Sequence, residues 1–460
     1  MKNKLHRLVG GLVVALVFGL AGAGAVTPDN LLAWNQDQDR VDADVRGLPL
    51  AELLERVAAQ TGWQIYVEPG TSFKASVKFK QLPSGEALRR LLGDLNFALV
   101  PQTNASPRLY VFRTSMQNAT QRIRTTPAKA VNKGKRVPNE LIVRLRPGAN
   151  IDDLARRLGA KVVGRIPELD AYRLEFADAA ATEAARQQLG YEPDVTSVQD
   201  NYYVDVPTVP QSVSGLTAPE TTLKLDPPKA DGCKVVVGFV DTALQPLGAQ
   251  LEPFVKERVA LAGESATATG DPTHATAMMN AWVQAMQASG KASSSATTLW
   301  VDVFGAEGSA NTFNVAAGMI TAANRGATVI NASLGGYGDT PLLRDAVAQL
   351  ANHNIPVFAA VGNDGSSTPF FPAAYPQVIS VTAVERGKVA SYANVGTQPD
   401  AGAPGSVVFS YNGQTYASRG TSVSSAAATG FAAGLADSTC APWSQVIPSI
   451  EKTLAVPVAK

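Results

Sequence analysis

Cysteine and histidine are nearly absent from this chain. Of 460 residues, two are cysteine (Cys233 and Cys440) and three are histidine. A CxxC redox pair, a Cys/His zinc site and a multiply bridged scaffold are excluded by count. Charge of either sign is lacking in excess, 40 Lys+Arg against 39 Asp+Glu, so no field favours nucleic acid or another polyanion as partner. Long apolar runs are lacking too. The one from Leu8 to about Leu20 falls short of the ~20 residues needed to span a bilayer. It follows Lys2, Lys4 and Arg7 and precedes the small residues Ala23-Gly24-Ala25, the three-part pattern of a secretory signal peptide over residues 1–25. The expectation is a periplasmic or secreted protein with no membrane span after signal removal. In an oxidising compartment Cys233 and Cys440 can form a disulfide; two buried free thiols are the alternative, and spacing does not choose between them.

What is present is ample apolar residue, 45% of the chain, arranged as three folded units and two linkers. Residues 41–113 carry an internal echo. Val45-Arg46-Gly47-Leu48-Pro49-Leu50 leads into a helix to about Thr61, and Val77-Lys78-Phe79-Lys80-Gln81-Leu82-Pro83-Ser84 leads into a helix over Glu86–Leu92. Each half alternates like a strand and then switches to helical period. With short strands at Gln64–Val67, Ala98–Pro101 and Arg108–Arg113, the pattern is β-α-β-β-α-β. Residues 114–138 read as a basic, solvated linker, with six Lys/Arg and no acid in 115–136. Residues 139–205 read as a second small α+β unit, a ferredoxin-like sandwich whose strands include Glu140–Arg146 and Val195–Val204. Residues 206–230, with five prolines, read as a connecting linker open to cleavage.

Residues 231–460 alternate apolar strands with Ala-rich helices, the pattern of a doubly wound, mostly parallel α/β sheet covered on both faces. Strands are expected at Lys234–Val240, Thr298–Val303, Thr328–Ala332, Pro356–Val361 and Val378–Ala383. Helices are expected at His274–Ala288, Asn314–Arg325, Leu342–His353 and Ser422–Ala436. Functional groups on such sheets lie beyond the carboxyl ends of the strands, and four candidates fall there. Asp241 ends an apolar strand, where an Asp-Thr pair alone reads as a turn. His274 opens a helix; His353, the other histidine beyond the signal, lies late in a helix and suits a C-terminal dipole. Ser422 follows Gly420-Thr421 at a helix start, a capping position that also favours developing negative charge. Asn363 follows a buried strand and Gly362, as a turn or as an amide donor.

Taken in order, Asp241, His274, Asn363 and Ser422 resemble the subtilases. Val329–Gly336 resembles that family's substrate-pairing strand, and Phe371–Pro376 and Ala403-Pro404-Gly405 also match. The resemblance spans about residues 232–440. It implies a serine endopeptidase acting on polypeptides, with Asp241, His274 and Ser422 as catalytic triad. Asn363 is the implied oxyanion donor, and Ser333, Leu334, Gly335 and Gly336 bind substrate. No cofactor and no metal ligands are assigned. Calcium is common in the family, but no compact acidic loop here matches a ligand set. Residues 139–205 resemble the inhibitory propeptide of subtilases, and Val198–Val204 the tail that such propeptides lay in the cleft. Residues 41–113 resemble the short N-terminal domain of secretins and TonB-dependent receptors, which implies a cell-envelope protein partner. Three departures touch the site: Ala243, Ala275 and Ala426 stand where the family has Gly, Gly and Pro. A register that puts Asp271 in the catalytic slot is rejected, because His274-Ala275-Thr276 fits the family's His-Gly-Thr with one added methyl. An inactive relative serving as an envelope binding or scaffold protein is the competing expectation.

Overall fold

The computed structural model describes residues 31–35, 39–61, 63–102, 105–123, 134–228, 233–263, 270–290 and 292–457. The signal-like residues 1–25 and the centre of the basic linker lie outside the described residues. The chain divides into two compact units, Met1–Ala130 and Val131–Lys460.

The first unit runs β1 (Leu31–Asn35), β2 (Arg40–Pro49), α1 (Leu50–Thr61), β3 (Gln64–Val67), β4 (Lys74–Leu82), α2 (Ser84–Leu92), β5 (Asn96–Gln102), β6 (Ala105–Phe112) and β7 (Gln121–Arg122). Leu50, Leu53, Leu54, Val57 and Ala58 are buried on one stripe of α1, and Val41, Ala43 and Val45 on one face of β2. Two sheets result, β1-β2-β4 and β5-β6-β3-β7. The unit also extends past the expected boundary at residue 113. Ala119 is buried and the Ile123 N–H donates to the Ile65 carbonyl at 2.9 Å, so the start of the basic stretch is folded rather than free.

The second unit begins with β8 (Arg136–Leu145), α3 (Ile151–Leu158), β9 (Lys161–Ile166), β10 (Ala171–Glu175), α4 (Ala179–Leu189) and β11 (Val195–Val204). β8 starts earlier than expected because Val137 is buried and the Lys135 carbonyl accepts from the Tyr203 N–H at 2.8 Å. Two short strands follow, β12 (Gln211–Ser212) and β13 (Lys224–Leu225). The α/β part comprises β14 (Val236–Asp241), β15 (Val255–Ala260), α5 (His274–Ala288), β16 (Ser293–Ser294), β17 (Thr297–Asp302), β18 (Ala310–Asn311), α6 (Thr312–Asn324), β19 (Val329–Ala332), α7 (Pro341–Asn352), β20 (Val357–Ala360) and β21 (Val378–Glu385). It closes with β22 (Lys388–Val389), β23 (Ala401–Pro404), β24 (Ser406–Tyr411), β25 (Gln414–Arg419), α8 (Thr421–Thr439) and α9 (Trp443–Thr453).

The large sheet has the order β15-β17-β14-β19-β20-β21, all parallel, with β22 antiparallel at the edge and β23 parallel to β21. Its strands are apolar on both faces, as two covering layers require. Val237 and Phe239 join a core with α5, α8 and α9, while Val236 and Val240 join one with α6 and α7. The small sheet β11-β8-β10-β9 packs on the second layer: Ile142, Ile166, Leu169 and Val204 share a core with Phe313, Leu342 and Ala346. β18 extends that sheet by pairing with β11.

Residues 206–230, expected as a loose linker, are tied down at two places. β12 pairs with β25, β13 pairs with β16, and Leu223 is buried. Spare edge strands on the α/β part accept them, a partner no local pattern reveals. Cys233, ahead of β14, is disulfide-bonded to Cys440, the left-handed C-cap of α8, with Cα atoms 5.6 Å apart. Cys233→Ser/Cys440→Ser is expected to cost about 2–4 kcal/mol, read as a lower urea midpoint by circular dichroism; an unchanged midpoint would show that the bond carries no stability.

Candidate active site

The segments after β19 and β20 meet the N-terminus of α8 in one cleft, and the carboxyl end of β14 meets the N-terminus of α5. Asp241 ends β14, wholly buried, and its Oδ1 accepts from His274 Nδ1 at 2.7 Å, from the Thr242 N–H at 2.7 Å and from Thr242 Oγ1 at 3.2 Å. That bond fixes the imidazole tautomer with Nδ1 protonated and Nε2 as acceptor. His274 is 2% exposed, and Asp241 Oδ2 is buried without a hydrogen-bond partner among the described residues.

The start of α5 is held from several sides. Thr273 caps it, accepting from the Thr276 N–H and donating to the Ala243 carbonyl. Buried Gln245 accepts from the Thr273 N–H at 2.8 Å and from Thr276 Oγ1 at 3.1 Å. The Ala275 N–H donates to Thr242 Oγ1 at 3.1 Å. Asp271, the rejected alternative, accepts from the Tyr416 hydroxyl instead. His353 Nδ1 lies 2.8 Å from the Gln349 carbonyl at the C-terminus of α7.

Ser422 stands in the first turn of α8, after Gly420 at φ +151°. Its Oγ donates to the Ser333 carbonyl at 2.8 Å, while Ser333 Oγ donates to the Ser422 carbonyl at 2.8 Å. Among the described residues this bond, rather than one to His274, takes the Ser422 hydroxyl. Asn331, in β19, donates to Ser333 Oγ at 2.9 Å and accepts from Ser425 Oγ at 2.8 Å and Thr429 Oγ1 at 3.1 Å. Asn363 Oδ1 accepts from the Thr421 N–H at 2.8 Å and Thr421 Oγ1 at 3.0 Å. With its oxygen so occupied, the Asn363 amide has its NH2 left to offer the cleft.

Ser333–Gly336 is not one regular strand, because β19 ends at Ala332. Gly336 exchanges backbone bonds with Phe371 at 2.9 and 2.7 Å, and the Gly335 carbonyl accepts from the Asp205 N–H at 2.9 Å. The chain leaving β11 therefore pairs along this edge. Asp205–Thr208 lines a cavity of about 160 Å³ together with Ser333, Leu334, Gly335, Asn363, Asp364 and Ser422. Asp364 accepts from the Tyr337 hydroxyl at 2.6 Å, and Asn394 Nδ2 donates to that hydroxyl at 3.2 Å. Burial and the bond to Asp364 push the Tyr337 phenol up to about 12. Crowding by protein and the nearby Asp364 carboxylate push the Asp205 carboxyl up to about 6.

The structure thus brings Asn363, Ser422 and Ser333–Gly335 together in one cavity, sets Gly336 against Phe371, and pairs Asp241 with His274 at the end of β14 and the start of α5. Thr242, Gln245, Asn331, Thr421 and Asp364 escaped the sequence reading. A polar Asn inside the apolar run Val329–Ala332 was the available signal for Asn331. Among the described residues, no group of three or more His, Cys, Asp or Glu side chains is placed to hold a metal ion.

The model of the subtilase family matches residues 232–446, and that of the fervidolysin N-terminal prodomain matches residues 122–201. A thermophilic serine proteinase of Bacillus sp. (strain AK1) is 31% identical over 338 residues, covering 66% of this chain and 79% of that protein. Subtilisin DY of Bacillus licheniformis is 34% identical over 46% of this chain and 81% of its own. Among solved structures, fervidolysin from Fervidobacterium pennivorans, a keratinolytic enzyme, superposes with TM-score 0.53 at 20% identity, covering 67% of this chain and 56% of its own. The epidermin leader peptide processing serine protease of Staphylococcus aureus superposes with TM-score 0.52 at 16% identity, covering 68% of this chain and 91% of its own. The last two likenesses are of fold. The chain belongs to the subtilase family of serine peptidases and carries a prodomain ahead of its peptidase domain.

Asn331→Ala is expected to destabilise the protein by about 1–3 kcal/mol, since it takes from the buried Ser425 hydroxyl its acceptor, while Thr429 Oγ1 keeps its 2.8 Å bond to the Ser425 carbonyl. Thermal and urea unfolding check it, and a loss below about 0.5 kcal/mol would show the network to be ornamental.

Proposed function

We propose that this chain is an exported serine endopeptidase made as an autoprocessed zymogen. The observation that carries the reading is the seating of Asp205–Thr208, an internal segment of the chain, in the cavity that Ser422 and Asn363 line. The segment enters from β11 and leaves toward β12, so the cleft is open at both ends and suits mid-chain cleavage. Extended pairing with Gly335 is how a sheet edge holds any polypeptide through its backbone.

In the proposed reaction Ser422 Oγ turns from the Ser333 carbonyl toward His274 Nε2. It then attacks the scissile carbonyl carbon as its proton passes to the imidazole. Asp241 holds the tautomer and stabilises the resulting imidazolium. Asn363 Nδ2 and the Ser422 N–H, at the positive end of α8, donate to the oxyanion. Collapse breaks the C–N bond, and the imidazolium returns its proton to the leaving amine. Water, deprotonated by His274, then hydrolyses the acyl-enzyme and frees Ser422. The prodomain β8–β11 acts as inhibitor, its tail filling the cleft until it is cut. Residues 41–113 serve as a docking module for a cell-envelope protein, and the periplasm or the exterior is the site of action. The signal-like start and the Cys233–Cys440 bond support that placement.

Wild type and Ser422→Ala, expressed side by side, test this. Wild type should yield a shortened mature chain, bind a fluorophosphonate and hydrolyse casein, while Ser422→Ala accumulates as the uncut precursor. A wild type that stays whole, unlabelled and inert on casein would leave the binding-protein alternative standing. Asn363→Ala should lower kcat by roughly 10²–10³ with KM little changed; a drop confined to KM would remove the oxyanion role.

A further inference from the structure

The tail that leaves β11 runs antiparallel to the segment that follows β19. Gly338 lies against the Tyr202 side chain and Gly336 against the next two residues, where an added Cβ would stand 3.2 Å from the Tyr203 carbonyl oxygen. The Asp205 N–H then donates to the Gly335 carbonyl at 2.9 Å. As one chain advances from 202 to 205, the other steps back from 338 to 335. In an antiparallel ladder the donors to a given edge recur at every second residue. The next donor due after Asp205 is therefore residue 207, and the next acceptor after Gly335 is the Ser333 carbonyl. Residue 207 is proline, which has no N–H to give. The Ser333 carbonyl is taken instead by the Ser422 hydroxyl at 2.8 Å. Pro207 is partly buried while Val206 and Thr208 on either side of it are exposed, and it lines the cavity with Ser333, Asn363 and Ser422. One missing donor thus accounts for the resting partner of the serine.

We infer, building on the reading of this cleft as a protease site, that Pro207–Thr208 is the first bond cut in the precursor and that Pro207 is a brake on that cut. In the step itself Ser422 Oγ bonds to the Pro207 carbonyl carbon, the bond to the Thr208 nitrogen breaks, and the proton passes through His274 to the new Thr208 amine. Water then splits the ester and leaves a carboxylate on Pro207. The brake acts before this step. With no N–H from residue 207, the tail is held by one backbone bond fewer, and Ser333 keeps the hydroxyl that must turn to His274. A substrate polypeptide with any other residue at this position brings its own N–H, displaces the hydroxyl from Ser333 and frees it. The brake is therefore confined to the chain's own tail. The cut parts residues 1–207, with the first unit and the prodomain, from a peptidase that retains β12 and β13 on its edges.

Two arms test the inference, and the first needs no turnover. In the full-length chain carrying Ser422→Ala and Pro207→Ala, amide hydrogen exchange is read residue by residue. Once corrected for local sequence, the N–H of residue 207 should exchange on the order of tenfold more slowly than that of Val206, because only the former faces Ser333. Equal rates, or slower exchange at 206, overturn the register and the proposal with it. The second arm follows the first cut by intact mass in wild type, Pro207→Ala and Pro210→Ala. The first product of wild type should begin at Thr208. Pro207→Ala should give the same product on the order of tenfold faster, the worth of one restored backbone bond, and Pro210→Ala should keep the wild-type rate. A first product that begins elsewhere, no gain from Pro207→Ala, or an equal gain from Pro210→Ala overturns the proposal, while casein hydrolysis by the same sample leaves the protease reading standing. A wild type that neither cuts itself nor hydrolyses casein sinks that reading and the proposed cut together.

Discussion

The cleft depends on how the N-terminus of α8 is fixed to the ends of β19 and β20. Ser422 and Ser333 exchange side-chain-to-carbonyl bonds, Asn331 braces Ser333 from below, and Asn363 clasps Thr421 from the next strand. Asn331 is wholly buried, so each of its bonds replaces water that is absent, and losing one exposes the full desolvation cost. The network can be this tight because α8 is built from small residues. At Gly430 an added Cβ would stand 2.5 Å from the Trp282 carbonyl of α5, so only glycine permits that approach. Small side chains bring the helix close, and the polar contacts then set its register.

The prodomain is fused to this frame through packing rather than through the cleft. Ile142, Ile166, Leu169 and Val204 lie in the same core as Phe313 and Leu342. Asn201 Oδ1 accepts from Thr312 Oγ1 at 2.9 Å and from the Phe313 N–H at 3.2 Å, capping contacts to α6. β11 therefore reaches the cleft already aimed, and its continuation past Val204 needs little further energy to stay there. The sheet-on-helix core holds the prodomain on the α/β part, and the bond from the Asp205 N–H to the Gly335 carbonyl sets the register of the cleft end. A tail anchored remotely can be poorly matched locally and still be in place when the chain folds.

The sequence made the parallel sheet legible because its strands are continuous apolar runs and its helices are long and Ala-rich; α5 runs His274–Ala288 as expected. Asp241, His274, Asn363 and Ser422 were legible as an ordered set, since each sits at a strand end or helix start. The partners that hold them were not. Asn331 meets Ser425 and Thr429 of α8, and Asp205 meets the field of Asp364, across contacts made only by folding. Periodicity reports which face a residue takes, not which residue it faces. The edge strands β12, β13 and β15 were missed for a related reason: they are short or half-exposed and owe their state to a waiting neighbour.

Ala243, Ala275 and Ala426 raised the question of whether added methyls and a lost proline displace the backbone at the site. Ala275 and Ala426 are wholly buried in the core shared by α5 and α8, so their methyls are absorbed as packing. The Ala275 N–H reaches Thr242 Oγ1, and the Ala243 carbonyl accepts from Thr273. These contacts hold the backbone that sets Asp241 against His274. What remains distinctive is the one-sided solvation of Asp241, with three donors on Oδ1 and none on Oδ2 among the described residues. A buried carboxylate so sparsely solvated gains more from a cation beside it than a fully hydrogen-bonded one would. In the proposed reaction that cation is the imidazolium formed as Ser422 loses its proton, so the incomplete shell around Asp241 favours the transition state over the resting pair.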